Sequence, residues 1–341
     1  MTRLGWADVA KGVCIVLVVV WHVATKHVQA GDPISDFWIM LNTQLLPLRM
    51  PLFFVVAGLF ASRVVAANEA QTLWRRASQL FLIYVLWVLI QTSVLALTPQ
   101  FDTARARTGW ELLAQLTFSP TNLWFLLALA AYLVIGRAVR SVPTFVLLPA
   151  AFLLTATVAT GVIPDSGNLW QVAQNLFFFL IGLRCRTLVM RVAERARFSR
   201  MLVWIVLSAG ALAAVALLSA RQVFGVWPVL ALLAVLGGVT ACALIDRRMP
   251  SMAAPLRWLG QRTLPIYVIH MIPLALLDQW MGVAGFAPLL GTPVVALLEP
   301  PLMTALVIAA SLGVHAVLVR CRLALLFAPL PHRPAMVRAT E

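Results

Sequence analysis

A histidine and a lysine share one apolar stretch near the start of the chain. His22 lies within an otherwise apolar run from Gly12 to Ala24, and Lys11 precedes His22 by eleven residues. Eleven steps of about 100° bring both side chains to one face of a helix, about 16 Å apart along its axis. Ionisable groups are costly in hydrocarbon, and those at membrane depth usually face a protein cavity or a pathway. The pair therefore predicts a functional site.

The chemistry that suits His22 is proton transfer. Histidine has an ordinary pKa of about 6.5, so it can accept or donate a proton near neutral pH as a general base or acid. Asp8 lies three residues before Lys11 and is placed to pair with it; we count it with His22 among the catalytic candidates. The alternative is that Lys11 extends to cytoplasmic lipid headgroups and that His22 is a hydrogen-bonded packing residue.

Further polar residues interrupt later apolar stretches. Arg49 could stabilise a developing oxyanion or bind an acidic substrate, or it could extend outward at the membrane interface. Tyr267 and His270 could line a channel or form hydrogen bonds between packed helices. Asn122 and Trp124 begin an apolar stretch, where they could contact a substrate or belong to an interfacial aromatic belt.

The composition is that of a membrane protein. The chain has 341 residues, of which 62% are hydrophobic and 11% charged, and its mean hydropathy is +0.94. Stretches of about 20 apolar residues can cross roughly 30 Å of hydrocarbon as helices. Ten such stretches are present: 9–27, 39–62, 79–98, 122–140, 143–162, 168–186, 201–219, 226–245, 263–283 and 297–320. The sequence therefore predicts an all-α membrane protein, a bundle of about ten transmembrane helices.

The basic residues set the predicted orientation. Of the 26 lysines and arginines, 20 fall in the first residues, in the loops after even-numbered stretches or in the tail, and only four fall in the opposite loops. Positive charge accumulates on the cytoplasmic side of membrane proteins, so both termini are expected in the cytoplasm. This distribution makes the net charge of +14 a topology signal, and we predict no nucleic-acid partner.

The loops are too short to fold as separate domains. We expect a single transmembrane domain over residues 1–330 and a short disordered cytoplasmic tail over residues 331–341. The four cysteines lack a paired CxxC spacing, so no metal site or disulfide is predicted.

Four segments, in order, resemble the acyltransferase-3 family of integral-membrane O-acyltransferases. The most specific is Asp8-Val9-Ala10-Lys11-Gly12 followed by His22, which resembles the family's Asp-x-x-Arg/Lys-Gly motif and its histidine. The others are Met50–Gly58, similar to the family's Pro-Leu-Phe-Phe motif, Asn122–Leu126, similar to its Leu-Trp-Phe-Leu segment, and Leu264–His270, similar to its Tyr-x-x-His segment. The chain departs from the family pattern at Arg49, where related sugar acetylases often have histidine.

The resemblance implies that the protein is an enzyme, namely an acyltransferase that transfers groups other than aminoacyl groups. It implies a multi-pass protein of the plasma (inner) membrane with no permanently bound cofactor. The donor would be cytoplasmic acyl-CoA, with acetyl-CoA expected, and the acceptor a hydroxyl of an envelope glycan or lipid-linked sugar. The roles it implies are catalysis for His22 and Asp8, donor binding for Lys11, Arg75, Arg76, Tyr267 and His270, and acceptor binding for Arg49, Asn122 and Trp124.

Two other functions fit the same residues. In a secondary transporter or flippase, the buried histidine, lysine and arginine would carry protons or substrate. In a non-catalytic membrane scaffold, the polar residues would only fix the register of the helices. Acyl transfer predicts loss of the donor thioester, whereas transport predicts flux without it.

Overall fold

The computed structural model describes residues 4–31, 33–66, 70–98, 101, 105–119, 121–162, 169–283 and 291–328. Across these residues the protein is helical and contains no strand. The first eight helices are α1 (Gly5–Ala30), α2 (Asp36–Gln44), α3 (Leu46–Ala66), α4 (Ala70–Leu95), α5 (Gly109–Thr117), α6 (Trp124–Ala138), α7 (Thr144–Ala159) and α8 (Leu169–Arg184). The other α-helices in the described residues are α9 (Arg186–Glu194), α10 (Phe198–Leu217), α11 (Val226–Arg248), α12 (Pro250–Gly260), α13 (Thr263–Ile269), α14 (Met271–Val283) and α15 (Pro293–Arg320). The predicted tail, 331–341, lies outside the described residues.

The all-helical class is confirmed, and several helices could cross a membrane. Five are long and apolar enough by themselves (α1, α4, α10, α11 and α15), and the number rises to seven if α2 with α3 and α13 with α14 each form one bent span. Each of the ten predicted stretches coincides with a helix or a bent pair. However, α6 has 15 residues and α7 has 16, so each rises only about 22–24 Å, less than the hydrocarbon thickness. A ten-span bundle with cytoplasmic termini therefore stays a prediction.

Both bent pairs break next to a proline. The axes of α13 and α14 differ by 45° and those of α2 and α3 by 42°. Pro273 follows the break between α13 and α14, and Pro47 follows the break between α2 and α3. Proline lacks the N–H that would continue the helical hydrogen bonds, and its ring crowds the preceding turn. The break between α13 and α14 lies at His270, so the bend sets where this side chain points.

Two pairs of helices pack backbone against backbone at glycines. A Cβ atom built on Gly12 of α1 would lie 2.0 Å from the Leu256 carbonyl oxygen of α12, and one on Gly260 would lie 1.9 Å from the Asp8 carbonyl oxygen. Small residues allow such close approach of helices. The glycine that follows Lys11 is therefore required by packing, and it holds the start of α1 against α12.

Helices α3 and α8 cross in the same way. A Cβ atom on Gly58 would lie 2.1 Å from the Phe179 carbonyl oxygen, and one on Gly182 would lie 2.0 Å from the Val55 carbonyl oxygen. This crossing fixes the helix that carries Arg49.

Candidate active site

His22 lies on the wall of a large cavity, which we call the outer cavity because it is at the end of the bundle predicted to face outward. The cavity has a volume of about 860 Å³. Val18, His22 and Lys26 of α1 line it together, as expected for residues spaced by about one helical turn. Thr25 and Gln29 of α1 also contribute polar side chains. The other polar lining side chains come from the remaining helices and their loops: Asn42, Thr43, Arg49, Asn122, Gln171, Gln174, Asn175, Arg221, Gln222 and Tyr267.

A second histidine lies directly against His22. The ring centroids of His22 and His270 are 5.0 Å apart, and the Trp21 ring contacts His22 edge-on at 4.6 Å. His270 is fully buried, whereas His22 reaches the cavity. The resemblance implied that His270 binds the donor; its position instead makes it a neighbour of His22, because no surface of its ring is open to a ligand.

The hydrogen bonds of His270 determine which of its nitrogens carries the proton. Nδ1 lies 2.7 Å from the Tyr267 carbonyl oxygen and 3.2 Å from the Ile266 carbonyl oxygen. Carbonyl oxygens only accept hydrogen bonds, so Nδ1 must donate. The neutral ring therefore has its lone pair on Nε2, which is buried and has no hydrogen-bond partner among the described residues.

Tyr267 lines the outer cavity and forms hydrogen bonds with residues at the start of α6. Its hydroxyl donates to the Asn122 carbonyl oxygen at 2.6 Å and accepts from the Phe125 backbone N–H at 3.2 Å. The N–H groups of a first helical turn have no partner within the helix, so Tyr267 satisfies one of them. Asn122, Trp124 and Tyr267 all line the outer cavity, which brings Tyr267 to the predicted acceptor residues and away from the predicted donor site.

Arg49 also lines the outer cavity and is only 4% exposed. Its guanidinium carbon lies 4.9 Å from the centroid of the Trp21 ring, a cation–π contact. Its burial excludes the interpretation in which this arginine extends outward to the interface. Arg49 and His22 thus contact the same tryptophan and face the same space.

Asp8 and Lys11 form an ion pair at the other end of α1. The Lys11 Nζ atom lies 2.7 Å from Asp8 Oδ1, and the Asp8 side chain is 3% exposed. Asp8 precedes His22 by fourteen residues of one continuous helix, or about 21 Å. Asp8 therefore does not contact His22 but orients Lys11, and a catalytic role for Asp8 stays a prediction.

A smaller cavity, the inner cavity, lies near Lys11. Its volume is about 360 Å³, and Arg76 and Phe60 are among its lining residues. Lys11 Nζ is 5.4 Å from the centroid of the Phe60 ring, so the lysine lies beside this cavity. Arg75, which the resemblance also assigned to donor binding, is on the neighbouring position of α4 but is not part of the lining.

Four aromatic residues form a layer between the two cavities. The Phe125 ring contacts those of Phe53, Phe54 and Tyr267 at centroid distances of 4.6, 4.8 and 5.6 Å. We refer to Phe53, Phe54, Phe125 and Tyr267 as the aromatic layer.

Along each helix that contributes to the aromatic layer, only a few residues separate the outer cavity from the inner cavity. On two helices a residue of the outer cavity and one of the inner cavity flank it: Pro51 and Ala57 on α3, Trp124 and Leu129 on α6. On α13 the layer residue Tyr267 lines the outer cavity and Leu264 the inner cavity. These spacings of three to six residues correspond to about 4.5–9 Å. Lys11 thus lies beside one cavity and His22 lines the other, a short distance along these helices.

Several site residues were missed from the sequence. Gln174 and Asn175 of α8 are buried and line the outer cavity; amide side chains within an apolar stretch were a signal that could have identified them. Glu299 lies within α15 and pairs with His27 Nε2 at 2.9 Å. No local pattern indicated this pair, because its members are 272 residues apart.

Comparisons with known proteins agree with the resemblance seen in the motifs. A family model described as an acyltransferase domain, Acyl_transf_3, matches residues 4–320. A curated relative, the inner membrane protein YcfT of Escherichia coli (strain K12), is 27% identical over 205 residues, which cover 52% of this chain and 55% of that protein. The chain thus matches about half the length of this relative. No solved structure matches the chain.

Proposed function

The chain belongs to the acyltransferase-3 family, and from this premise we propose that it is a membrane-embedded O-acyltransferase. The donor is acyl-CoA bound from the cytoplasm, with acetyl the expected acyl group, and the acceptor is a hydroxyl of an envelope glycan or lipid-linked sugar. The observation that carries the proposal is the arrangement of α1. One end of this helix bears Lys11 beside the inner cavity, and His22 faces the outer cavity.

His22 is the general base in this mechanism. The acceptor oxygen attacks the thioester carbonyl carbon while His22 takes the hydroxyl proton, the carbon–sulfur bond then breaks, and the thiolate leaves with the electron pair. Proton transfer from His22 to that sulfur gives the free thiol and restores the neutral imidazole. General-base catalysis of this kind contributes about 10²–10⁴-fold to rate.

His270 supports this step as a positioning residue. The two carbonyl oxygens that accept from its Nδ1 hold the neutral tautomer beside His22. A neutral imidazole next to His22 avoids the repulsion that a second cation would exert when His22 becomes protonated. Packing of the two rings also limits rotation of His22 and so favours one attack geometry.

The donor is assigned to the inner cavity. Coenzyme A carries several phosphate charges, and Arg76 and Lys11 supply cations at this end; arginine and lysine are the usual phosphate ligands of proteins. The pantetheine arm then extends past the aromatic layer toward His22. Along the flanking helices, the two cavities are separated by about 4.5–9 Å. Passage of the arm therefore requires movement of the side chains of the aromatic layer but no rearrangement of the helices.

The test is a measurement of thioester loss and acyl transfer by purified protein. Wild-type protein in detergent, incubated with radiolabelled acetyl-CoA and a mixture of envelope saccharides, should release thiol and label a saccharide. His22→Gln should reduce both by about 100-fold or more. His315→Gln is a matched control because His315 lies outside the lining of both cavities. Flux of a substrate across vesicles without thiol release would favour the transporter alternative.

A further inference from the structure

The charges that line the outer cavity have one sign. Lys26, Arg49 and Arg221 contribute cations, and no aspartate or glutamate is found among the described lining residues. A cavity with walls of one charge concentrates ligands of the opposite charge. This feature bears on which hydroxyl compound is the acceptor.

Arg49 is the most informative of these cations. It is 4% exposed, its Nη1 atom is buried, and no hydrogen-bond acceptor for that atom is found in the described part of the chain. Removing a charge from water is strongly unfavourable unless it is paired. The cation–π contact with Trp21 offsets part of this cost but supplies no anion. A buried guanidinium at a cavity wall is suited to an anionic ligand that enters the cavity.

Three uncharged donors in the same lining are also unpartnered. These are Asn42 Nδ2, Asn122 Nδ2 and Trp227 Nε1, each buried and without a hydrogen-bond acceptor among the described residues. Buried donors are nearly always satisfied in folded proteins, so a cluster at one cavity requires an explanation. An oxygen-rich ligand supplies such acceptors.

The aromatic residues of the lining indicate a saccharide. Four tryptophans, Trp21, Trp124, Trp170 and Trp227, contribute to the wall. The negative face of an aromatic ring attracts the positively polarised C–H groups on the face of a sugar ring, while the polar amides beside it can bind sugar hydroxyls.

We infer that the acceptor is a saccharide bearing an anionic group, a carboxylate or a phosphate, that binds Arg49 while a hydroxyl of the same molecule lies at His22. The inference rests on the proposed function for the role of the hydroxyl. The geometry supports it because Arg49 and His22 both lie against Trp21, at 4.9 and 4.6 Å from its ring. The Trp21 side chain thus contacts both Arg49, which would bind the anion, and the base His22. Neighbouring substituents of a short saccharide can span the distance between these two residues.

Arg49 could alternatively stabilise the oxyanion formed at the thioester. This role predicts equal losses for every acceptor, because the oxyanion derives from the donor. An anion subsite predicts a loss only for charged acceptors, expressed in affinity. The two roles therefore differ in selectivity rather than in total activity.

The experiment is a binding measurement that does not require catalysis. Isothermal titration of detergent-purified protein would use three probes: an oligosaccharide containing glucuronic acid, the same oligosaccharide with the carboxyl reduced to an alcohol as the neutral probe, and an oligosaccharide without carboxyl groups that carries an anionic, phosphodiester-linked sugar. Wild-type protein should bind at least one anionic probe about tenfold or more tighter than the neutral one, an advantage of about 1.4 kcal/mol. Whichever anionic probe binds more tightly shows whether the anionic group of the acceptor is a sugar carboxylate or the phosphate of a lipid-linked sugar.

Variants separate this inference from the proposed reaction. Arg49→Gln should reduce the ratio of anionic to neutral affinity to near one, and Arg49→Lys should restore part of it. His22→Gln should retain the ratio even though it stops transfer, so failure of the catalytic proposal would leave this result interpretable. Equal affinity of wild-type protein for charged and neutral probes, or no binding of either, would overturn the inference. A ratio unchanged in Arg49→Gln would also overturn it.

Discussion

The rings of His22 and His270 lie 5.0 Å apart, with His22 on the cavity side and His270 buried behind it. The carbonyl oxygens of Ile266 and Tyr267 hold the proton of His270 on Nδ1. This relationship connects the first helix with the bend between α13 and α14, and it places a second imidazole beside the histidine that accepts the proton in the proposed mechanism.

Replacement of His270 should slow the reaction without weakening donor binding. We expect His270→Phe, which keeps a ring against His22 but removes both nitrogens, to lower kcat by about tenfold or more, with the KM for acetyl-CoA changed less than twofold. Initial rates across a range of pH would check the cause. A positioning role predicts a changed midpoint of the pH profile, whereas simple loss of folded protein lowers the rate equally at every pH.

The rate of transfer should depend on pH through His22. A general base must be unprotonated, so the rate rises with pH as the imidazole loses its proton and then reaches a plateau. The measurement is kcat/KM between pH 5 and 9 with acetyl-CoA and a fixed acceptor concentration. A rate that falls as pH rises through this range would remove His22 from the role of base.

Two adjacent arginines on α4 provide a matched test of the donor site. Arg76 lines the inner cavity and Arg75 does not, although both are on the same helix and carry the same charge. We expect Arg76→Gln to raise the KM for acetyl-CoA by about fivefold to tenfold, the loss of one charge-assisted hydrogen bond, and Arg75→Gln to change it less than twofold. Equal effects of the two substitutions would indicate a general electrostatic attraction, and would contradict a donor site in the inner cavity.

The close approach of α1 and α12 should make Gly12 sensitive to a single methyl group. A Cβ atom at this position would lie 2.0 Å from the Leu256 carbonyl oxygen, whereas one at Gly313 of α15 meets no atom within 4 Å. Overpacking of this kind costs about 1–3 kcal/mol, so Gly12→Ala should lower the Tm in detergent and Gly313→Ala should not. Thermal unfolding followed by circular dichroism checks this; equal Tm values would show that α1 and α12 separate easily.

Helical periodicity explains which parts of the site could be predicted from the sequence. Lys11 and His22 belong to one helix, Gly5–Ala30, so an eleven-residue spacing sufficed to place both on one side of it. The apolar stretches similarly located the helices, since burial in hydrocarbon imposes a composition on each. Arg49 was recognisable as a functional candidate because a charge within an apolar stretch is rare.

The rest of the site depends on contacts between distant segments. His270 meets His22 only because the chain bends by 45° at that residue and α13 packs against α1; no local pattern encodes this meeting. Asp8 lies on the same helix as His22 but pairs with Lys11, since sharing a helical face does not imply proximity along the axis. The motif glycines Gly12 and Gly58 were visible in the sequence, but the backbone atoms that they contact were not.

We propose that His22 catalyses transfer of an acyl group from acyl-CoA at one end of the bundle to a hydroxyl at the other. The most direct test of this reaction uses proteoliposomes of uniform orientation with radiolabelled acetyl-CoA sealed on the Lys11 side and a saccharide acceptor on the His22 side. Wild-type protein should label the saccharide outside as thiol is released inside, and His22→Gln in equal amount should do neither. Label that reaches the acceptor equally well in the His22→Gln vesicles, or acceptor labelling only when donor and acceptor share one side, would contradict the account.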